Sequence, residues 1–132
     1  MKMNPVVHFE MPASDKKRVS GFYSKVFGWQ MMQMGQEFGN YLLATTTESD
    51  DKGPKKPGAI NGGFFERKDY ELNRVPHLVI AVDNLQESIK AVEEAGGKIL
   101  GEPMDIPNIG LYVSFRDTEG NIVGMLQPPP MK

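Results

Sequence analysis

The stretch Pro5-Val6-Val7-His8-Phe9 near the start of the chain has a counterpart in the middle, Val75-Pro76-His77-Leu78-Val79. Both stretches are apolar, contain one proline and place one histidine among residues that favour strands. The two histidines are 69 residues apart, which is about half of the 132-residue chain. This spacing predicts an internal repeat, and equivalent residues of a duplicated module tend to face one shared cavity.

The residues that follow each histidine support the repeat. Seven positions later comes a side chain suited to cap a helix, Asp15 in the first half and Asn84 in the second. Twenty positions later comes a glycine, Gly28 or Gly97, of the kind that ends a helix. Each half is therefore expected to begin with a strand and to continue with one helix.

Apolar patterning extends this order to the rest of each half. Residues 5–11 alternate as a strand with His8 and Glu10 on one face, and an apolar helical stripe follows at Val19, Phe22, Tyr23 and Val26. Further strands are expected at 29–34, 38–45 and 59–66, then 76–82, 98–104, 109–115 and 121–127, the second helix following 76–82. Residues 48–58 contain no apolar side chain and are expected to form a mobile surface loop. The prediction is an α+β fold of two tandem βαβββ modules, about residues 4–66 and 75–128, in a single domain of residues 1–132.

Composition removes several classes of function. The chain has 15 basic and 17 acidic residues without a basic, aromatic-rich stretch, so nucleic-acid binding is not expected. Its apolar runs are far shorter than the ~20 residues that span a bilayer, so no membrane association is expected. Cysteine is absent, which excludes disulfides and thiolate chemistry. These features, with no sign of a targeting segment at the start, favour a cytoplasmic protein.

Two short strings within the repeat resemble a known family. The strings are Phe22-Tyr23-Ser24-Lys25-Val26-Phe27-Gly28-Trp29 and Asp117-Thr118-Glu119-Gly120-Asn121. Together with the duplicated βαβββ order they resemble the vicinal oxygen chelate superfamily of glyoxalase I, bleomycin resistance proteins and extradiol dioxygenases. The chain looks most like the short members labelled as related to lactoylglutathione lyase. This resemblance implies eight strands in a curved sheet around an open cup, and a homodimer.

The resemblance also implies a divalent metal, such as Zn, Ni, Fe or Mn, held in the cup by residues of the first and last strand of each module. His8 and His77 fall on the two first-strand positions, and imidazole is a reasonable ligand for these metals. Glycine occupies both positions at which the family carries a carboxylate, Gly63 and Gly124. Glu10 shares the strand parity of His8, so it is a candidate third ligand, a catalytic base, or a rim residue that hydrogen-bonds His8.

Two functions follow from these residues. The favoured one is a small-molecule-binding protein of the glyoxalase and bleomycin-resistance type, whose degenerate site holds metal weakly or not at all. Its cup is expected to be widened by the two glycines and lined by Gly63, Phe65, Gly124 and Leu126. The alternative is a metal-dependent lyase, isomerase or dioxygenase for a small oxygen-rich substrate, with His8 and His77 as ligands. The sequence does not decide whether the protein is an enzyme.

Overall fold

The computed structural model describes residues 2–70 and 73–129. Its helices in this part of the chain are α1 (Lys16–Phe27) and α2 (Leu85–Glu94). Its strands there are β1 (Val6–Ala13), β2 (Gln30–Gln33), β3 (Leu42–Thr45), β4 (Ser49–Asp50), β5 (Gly53–Pro54), β6 (Asn61–Glu66), β7 (His77–Ala81), β8 (Lys98–Ile106), β9 (Gly110–Arg116) and β10 (Ile122–Gln127). Among the described residues, both helices are too short to span a bilayer, with 12 residues in α1 and 10 in α2.

The chain divides into two compact units with the same internal topology. The first unit is His8–Pro76, and the second combines the described residues up to Val7 with those from His77 onward. The strand order is β2-β3-β6-β1 in the first unit and β7-β10-β9-β8 in the second. In each unit the first and last sheet strands pair in parallel, and the other neighbours pair antiparallel. The predicted α+β class, with four strands of mixed direction in each unit, is confirmed.

Local signals set the ends of α1. Asp15 accepts a hydrogen bond from the backbone N–H of Arg18, and Gly28 ends the helix in the left-handed conformation that favours glycine. Gly28 also lets Trp29 turn back so that its ring stacks on Tyr23, with 4.6 Å between ring centroids. This pair packs beside Phe64 at the centre of the first core, which explains Tyr23, Gly28 and Trp29 of the Phe-Tyr-x-x-x-Phe-Gly-Trp string physically.

The predicted apolar stripe of α1 is only half correct. Val19 and Tyr23 pack against the core, whereas Phe22 and Val26 are each 54% exposed. The helix has no fully buried residue, because it touches the sheet along a line narrower than the stripe. Helix α2 packs more closely: Asn84 caps it, as predicted, and Leu85, Ile89 and Val92 join the second core.

Two predicted segments differ from the structure. The strand predicted at 38–45 begins only at Leu42, because residue 38 belongs to a 3₁₀ turn over residues 36–38. The expected surface loop contains the small hairpin of β4 and β5. This hairpin is anchored by Asn61, whose side-chain amide donates to the Ser49 hydroxyl at 2.9 Å and accepts from the Thr46 backbone at 2.9 Å. A charged, proline-rich segment can therefore be held in place by polar contacts alone.

Candidate functional site

Strand β1 sends its side chains to two different faces of the sheet. Phe9 and Met11 pack against the core beneath α1. His8 and Glu10 point the other way, and both make hydrogen bonds with Tyr41. This is the alternation predicted from the sequence. We call the face of the first unit that carries His8 and Glu10 the site face.

Tyr41 is positioned by the turn that precedes β3. Asn40 adopts a left-handed conformation with a φ of 57°, which asparagine tolerates better than most residues. The carbonyl oxygen of Asn40 accepts hydrogen bonds from the Gln33 side chain, at 2.7 Å, and from the Lys16 ammonium group. The backbone N–H of Met34 donates to the carbonyl of Tyr41 at 2.8 Å. These contacts fix the backbone from which the tyrosine ring extends.

The hydroxyl of Tyr41 joins His8 to Glu10, and we call these three residues the polar triad. The hydroxyl donates to Glu10 Oε2 at 2.9 Å, and His8 Nε2 lies 3.1 Å from the same oxygen. Since the single phenol hydrogen points to Glu10, the neutral imidazole must carry its hydrogen on Nε2 and donate to the phenol oxygen. The lone pair of His8 is then on Nδ1, which has no hydrogen-bond partner among residues 2–70 and 73–129.

Burial disfavours the charged form of the His8 imidazole. It lowers the pKa of the His8 imidazole below the ordinary value, because a charged ring is poorly solvated there, and the Glu10 carboxylate offsets part of this effect. His8 is therefore neutral near pH 7. The triad thus presents a neutral imidazole, a phenol and a carboxylate on one side of the sheet.

Gly63 lies directly beneath the Tyr41 ring. A Cβ atom added at Gly63 would lie 2.0 Å from Tyr41 Cε2 and 2.4 Å from its hydroxyl oxygen, which is far closer than real Cβ atoms approach. The tyrosine therefore occupies the space that a carboxylate side chain at this position would need. The expectation that the glycine widens a cup is wrong at this position, because a neighbouring ring fills the space.

The second unit repeats this arrangement. A Cβ atom at Gly124 would lie 2.4 Å from the Tyr112 hydroxyl oxygen. In the second unit Gly124 pairs with Ser114, and Tyr112 lies two residues before Ser114. In the first unit Gly63 pairs with Leu43, and Tyr41 likewise lies two residues before Leu43. The expected widening is wrong at Gly124 for the same reason. The buried Ser114 hydroxyl lies 3.4 Å from the Tyr112 hydroxyl oxygen, to which it donates.

The remaining predicted site residues can be located within their units. Phe65 is half-buried and alternates with the core residue Phe64, so it belongs to the site face. Leu126 is half-buried and is the register partner of Tyr112. His77 begins β7 and is 7% exposed, two residues before Val79, the register partner of Gly124.

The residues present do not fit the metal site that the family resemblance implies. No group of three His, Cys, Asp or Glu side chains suited to a metal ion occurs within the described ranges. Catalytic zinc normally has three protein ligands, and non-haem iron uses two histidines with a carboxylate. Here Gly63 and Gly124 stand at the carboxylate positions beneath tyrosine rings, and His8 Nε2 is bonded to a phenol.

The sequence patterns do not identify Tyr41 or Tyr112 as site residues. A glycine inside a strand leaves a gap that an aromatic ring on the neighbouring strand can cover, and this rule points to both tyrosines once the register is known. In the sequence Tyr41 precedes Gly63 by 22 residues and Tyr112 precedes Gly124 by 12, so no common spacing marks the two pairs. The pairing that brings each ring over its glycine is a tertiary feature.

The Asp-x-x-Gly-Asn string has a structural role. The Asp117 carboxylate accepts hydrogen bonds from the backbone N–H groups of Glu119 and Asn121, each at 2.9 Å, and from the Asn121 side chain at 3.0 Å. These hydrogen bonds lower the pKa of Asp117, and the bond from the Asn121 side chain has the largest effect. The string therefore closes the tight turn between β9 and β10.

Comparison with known proteins agrees with this architecture. The family model described as the Glyoxalase/Bleomycin resistance protein/Dioxygenase superfamily matches residues 6–125. A glyoxylase-like domain-containing protein of Didymella fabae is 30% identical over 115 residues, covering 85% of this chain and 84% of the relative. A probable lactoylglutathione lyase of Vibrio cholerae is 24% identical, covering 96% of this chain and 93% of the relative.

A solved structure shows the same fold at lower identity. A Streptomyces coelicolor methylmalonyl-CoA epimerase variant superposes with a TM-score of 0.70 and 14% identity, covering 99% of both chains. The structural likeness supports the fold alone, whereas the family match spans nearly the whole chain. The chain therefore belongs to the glyoxalase/bleomycin resistance protein/dioxygenase superfamily, as a small-molecule-binding protein of the glyoxalase type.

Proposed function

We propose that the protein binds a small oxygen-containing molecule on the site face of its first unit, and that it does so without a divalent metal. One observation carries this proposal: the Tyr41 hydroxyl lies over Gly63 and is hydrogen-bonded to both His8 and Glu10. A phenol thus stands where a metal-binding carboxylate is expected. The pairing of Tyr112 with Gly124 supports the same replacement in the second unit.

The chemistry of the triad indicates what kind of molecule would bind. Nδ1 of His8 offers an acceptor for a polar hydrogen, and the phenol and carboxylate are already bonded to each other. Phe65 and Leu43 add apolar surface on the same face. The proposed ligand is therefore a small, partly apolar compound that presents a polar or acidic hydrogen to His8 Nδ1.

A thermal-shift screen against small carbonyl and phenolic metabolites, in the presence of EDTA, tests the proposal. A ligand at a hundredfold excess over its dissociation constant should stabilise the protein by about 2.7 kcal/mol. His8→Ala and Tyr41→Phe should weaken this stabilisation, because the first removes the acceptor and the second its orienting partner. Tyr70→Phe is the matched control, since Tyr70 is 63% exposed and lies outside the triad. Equal stabilisation of all four proteins by every ligand would contradict the proposal.

The alternative is a metal-dependent lyase, isomerase or dioxygenase. It is favoured by one feature, the presence of His8 and His77 at equivalent positions of the repeat. This function requires stoichiometric metal that is lost in His8→Ala. Metal analysis of protein purified without an affinity tag or chelator separates the two functions.

We also propose an assembly state and a location for the protein. A homodimer is expected from the family resemblance, and light scattering during size-exclusion chromatography would measure it. A cytoplasmic location is proposed from composition, and fractionation of the source cells would test it.

A further inference from the structure

The polar triad is a directed chain of hydrogen bonds. Its order is His8 Nε2–H to the Tyr41 oxygen, then Tyr41 O–H to Glu10 Oε2, over distances of 3.1 and 2.9 Å. A chain in which every donor points the same way can pass one proton from end to end by shifting each hydrogen once. The end that receives the proton is His8 Nδ1, and the opposite end is the Glu10 carboxylate.

We propose that His8 is a general base that removes a proton from a bound carbon acid, and that Glu10 receives this proton through Tyr41. The inference rests on the proposed binding function and adds a reaction to it. It requires neither metal nor oxidant, since nothing is oxidised or reduced. His8 would touch the substrate, whereas Tyr41 and Glu10 would act through His8.

Every bond that breaks in this step is matched by one that forms. The substrate C–H bond breaks, its electron pair stays on the substrate, and the proton forms a bond to His8 Nδ1. The Nε2–H bond of His8 breaks as the Tyr41 oxygen gains that hydrogen, and the original Tyr41 O–H bond breaks as Glu10 Oε2 becomes protonated. His8 ends neutral, with its hydrogen on Nδ1. One negative charge has moved from Glu10 to the substrate.

This charge transfer restricts the substrate class. Both polar hydrogens of the triad are donated within it and the triad carries no positive charge, so it does not neutralise an isolated enolate. The substrate must therefore spread its own negative charge. A compound whose acidic C–H lies between two carbonyl groups does this, because both oxygens share the charge. The proposed class is small 1,3-dicarbonyl compounds.

The charge state of His8 is consistent with this role. Burial lowers the pKa of the ring, so the imidazole is neutral and able to accept a proton near pH 7. The nearby Glu10 carboxylate stabilises the imidazolium that would form if the proton paused on His8. Positioned general bases contribute roughly 10²- to 10⁴-fold to reaction rates.

Ethyl 2-methylacetoacetate is a suitable probe, because exchange of its single C2 hydrogen in D₂O converts the neighbouring methyl doublet to a singlet in the proton NMR spectrum. With EDTA present, the wild-type protein should accelerate this exchange above the buffer rate. His8→Ala should return it to the buffer rate, and Tyr41→Phe and Glu10→Gln should each reduce the accelerated part at least tenfold. Tyr70→Phe should match the wild type.

A spectroscopic measurement separates positioning from simple structural damage. The chain has two histidines, so nitrogen-15 NMR can resolve both rings. The wild-type His8 should carry its hydrogen on Nε2, and Tyr41→Phe should lose this fixed tautomer while the signals of the folded protein persist. An Nδ1–H tautomer in the wild type would overturn the inference.

The remaining outcomes distinguish the inference from the proposed function. If the ester shifts the His8 signals but its C2 hydrogen exchanges at the buffer rate, the inference is wrong and binding stands. If the ester leaves those signals unchanged, the inference is wrong for this substrate class, and the metabolite screen alone decides binding. Exchange that survives in His8→Ala, or that needs added metal, also overturns the inference.

Discussion

Replacing Gly63 with alanine should break the polar triad without touching any of its members. The new Cβ atom would lie 2.0, 2.3 and 2.4 Å from Cε2, Cζ and the hydroxyl oxygen of Tyr41, whereas real Cβ contacts below 3.0 Å are essentially unknown. The ring must therefore move by about 1 Å, which a flexible side chain can do at small steric cost. The hydroxyl then leaves hydrogen-bond distance of His8 and Glu10.

The energetic cost follows from the two bonds that are lost. A neutral hydrogen bond contributes about 0.5–1.5 kcal/mol and one to a charged group about 1.5–3 kcal/mol. The triad is only partly buried, so the lower ends apply and the sum is about 2 kcal/mol. The reduced freedom of the unfolded chain returns about 0.5 kcal/mol. Gly63→Ala should therefore lower the free energy of unfolding by about 1.5 kcal/mol.

A double-mutant cycle isolates this effect. Urea unfolding followed by circular dichroism gives the unfolding free energies of the wild type, Gly63→Ala, Tyr41→Ala and the double variant. Once Tyr41 is absent, the alanine meets no ring, so its destabilising effect should vanish. The expected coupling between the two changes is about 2 kcal/mol. A coupling below about 0.5 kcal/mol, the ordinary limit of additivity, would refute the reasoning.

Three further predictions concern the metal content, the pH dependence of stability and the stability cost of a glycine in α1. Protein purified without a tag should contain well under one equivalent of divalent metal by mass spectrometry, and combining Gly124→Glu with Tyr112→Ala should raise metal affinity in calorimetry, because the first adds a ligand and the second clears its space. Because the pKa of His8 is lowered in the folded state, the stability that its neutral ring contributes is complete above the unfolded value of ~6.5 and declines as the pH falls through that value towards the folded pKa. Urea unfolding at several pH values should give free energies of unfolding whose change with pH differs between the wild type and His8→Gln only below about pH 6.5. The same change with pH in both proteins would contradict this. Gly21→Ala should raise the free energy of unfolding by about 0.5–1 kcal/mol, since nothing outside the adjacent residues and the backbone of α1 lies within 4 Å of the added methyl group, and a lower midpoint in urea would disprove it.

The features that could be predicted from the sequence are those set by neighbours along the chain. The caps at Asp15 and Asn84, the left-handed Gly28 and the alternation of His8 with Phe9 each depend on a few adjacent residues. The repeat then extended these local signals to the whole fold. The exposure of Phe22 was not predictable in this way, because periodicity shows which residues share a helix face but not how wide the contact is.

The candidate site could be predicted only in part for a related reason. His8 and Glu10 are two residues apart on one strand, so their common face follows from alternation. Tyr41 joins them through a turn and a cross-strand register that no short pattern encodes. The glycines were recognised as missing carboxylates, but the tyrosine that fills each space depends on pairing between strands.

The parallel pairing of β1 with β6 has a consequence for the order of folding. His8 and Glu10 pair with Asn61 and Gly63, although α1, β2, β3 and the small hairpin lie between these strands in the chain. Contacts between distant segments carry the largest loop-closure entropy, so they tend to form after local ones. During synthesis the triad can pack over Gly63 only after β6 has left the ribosome. Because these contacts form late, mutations at the pairing of β1 with β6 should mainly accelerate unfolding and leave the refolding rate almost unchanged.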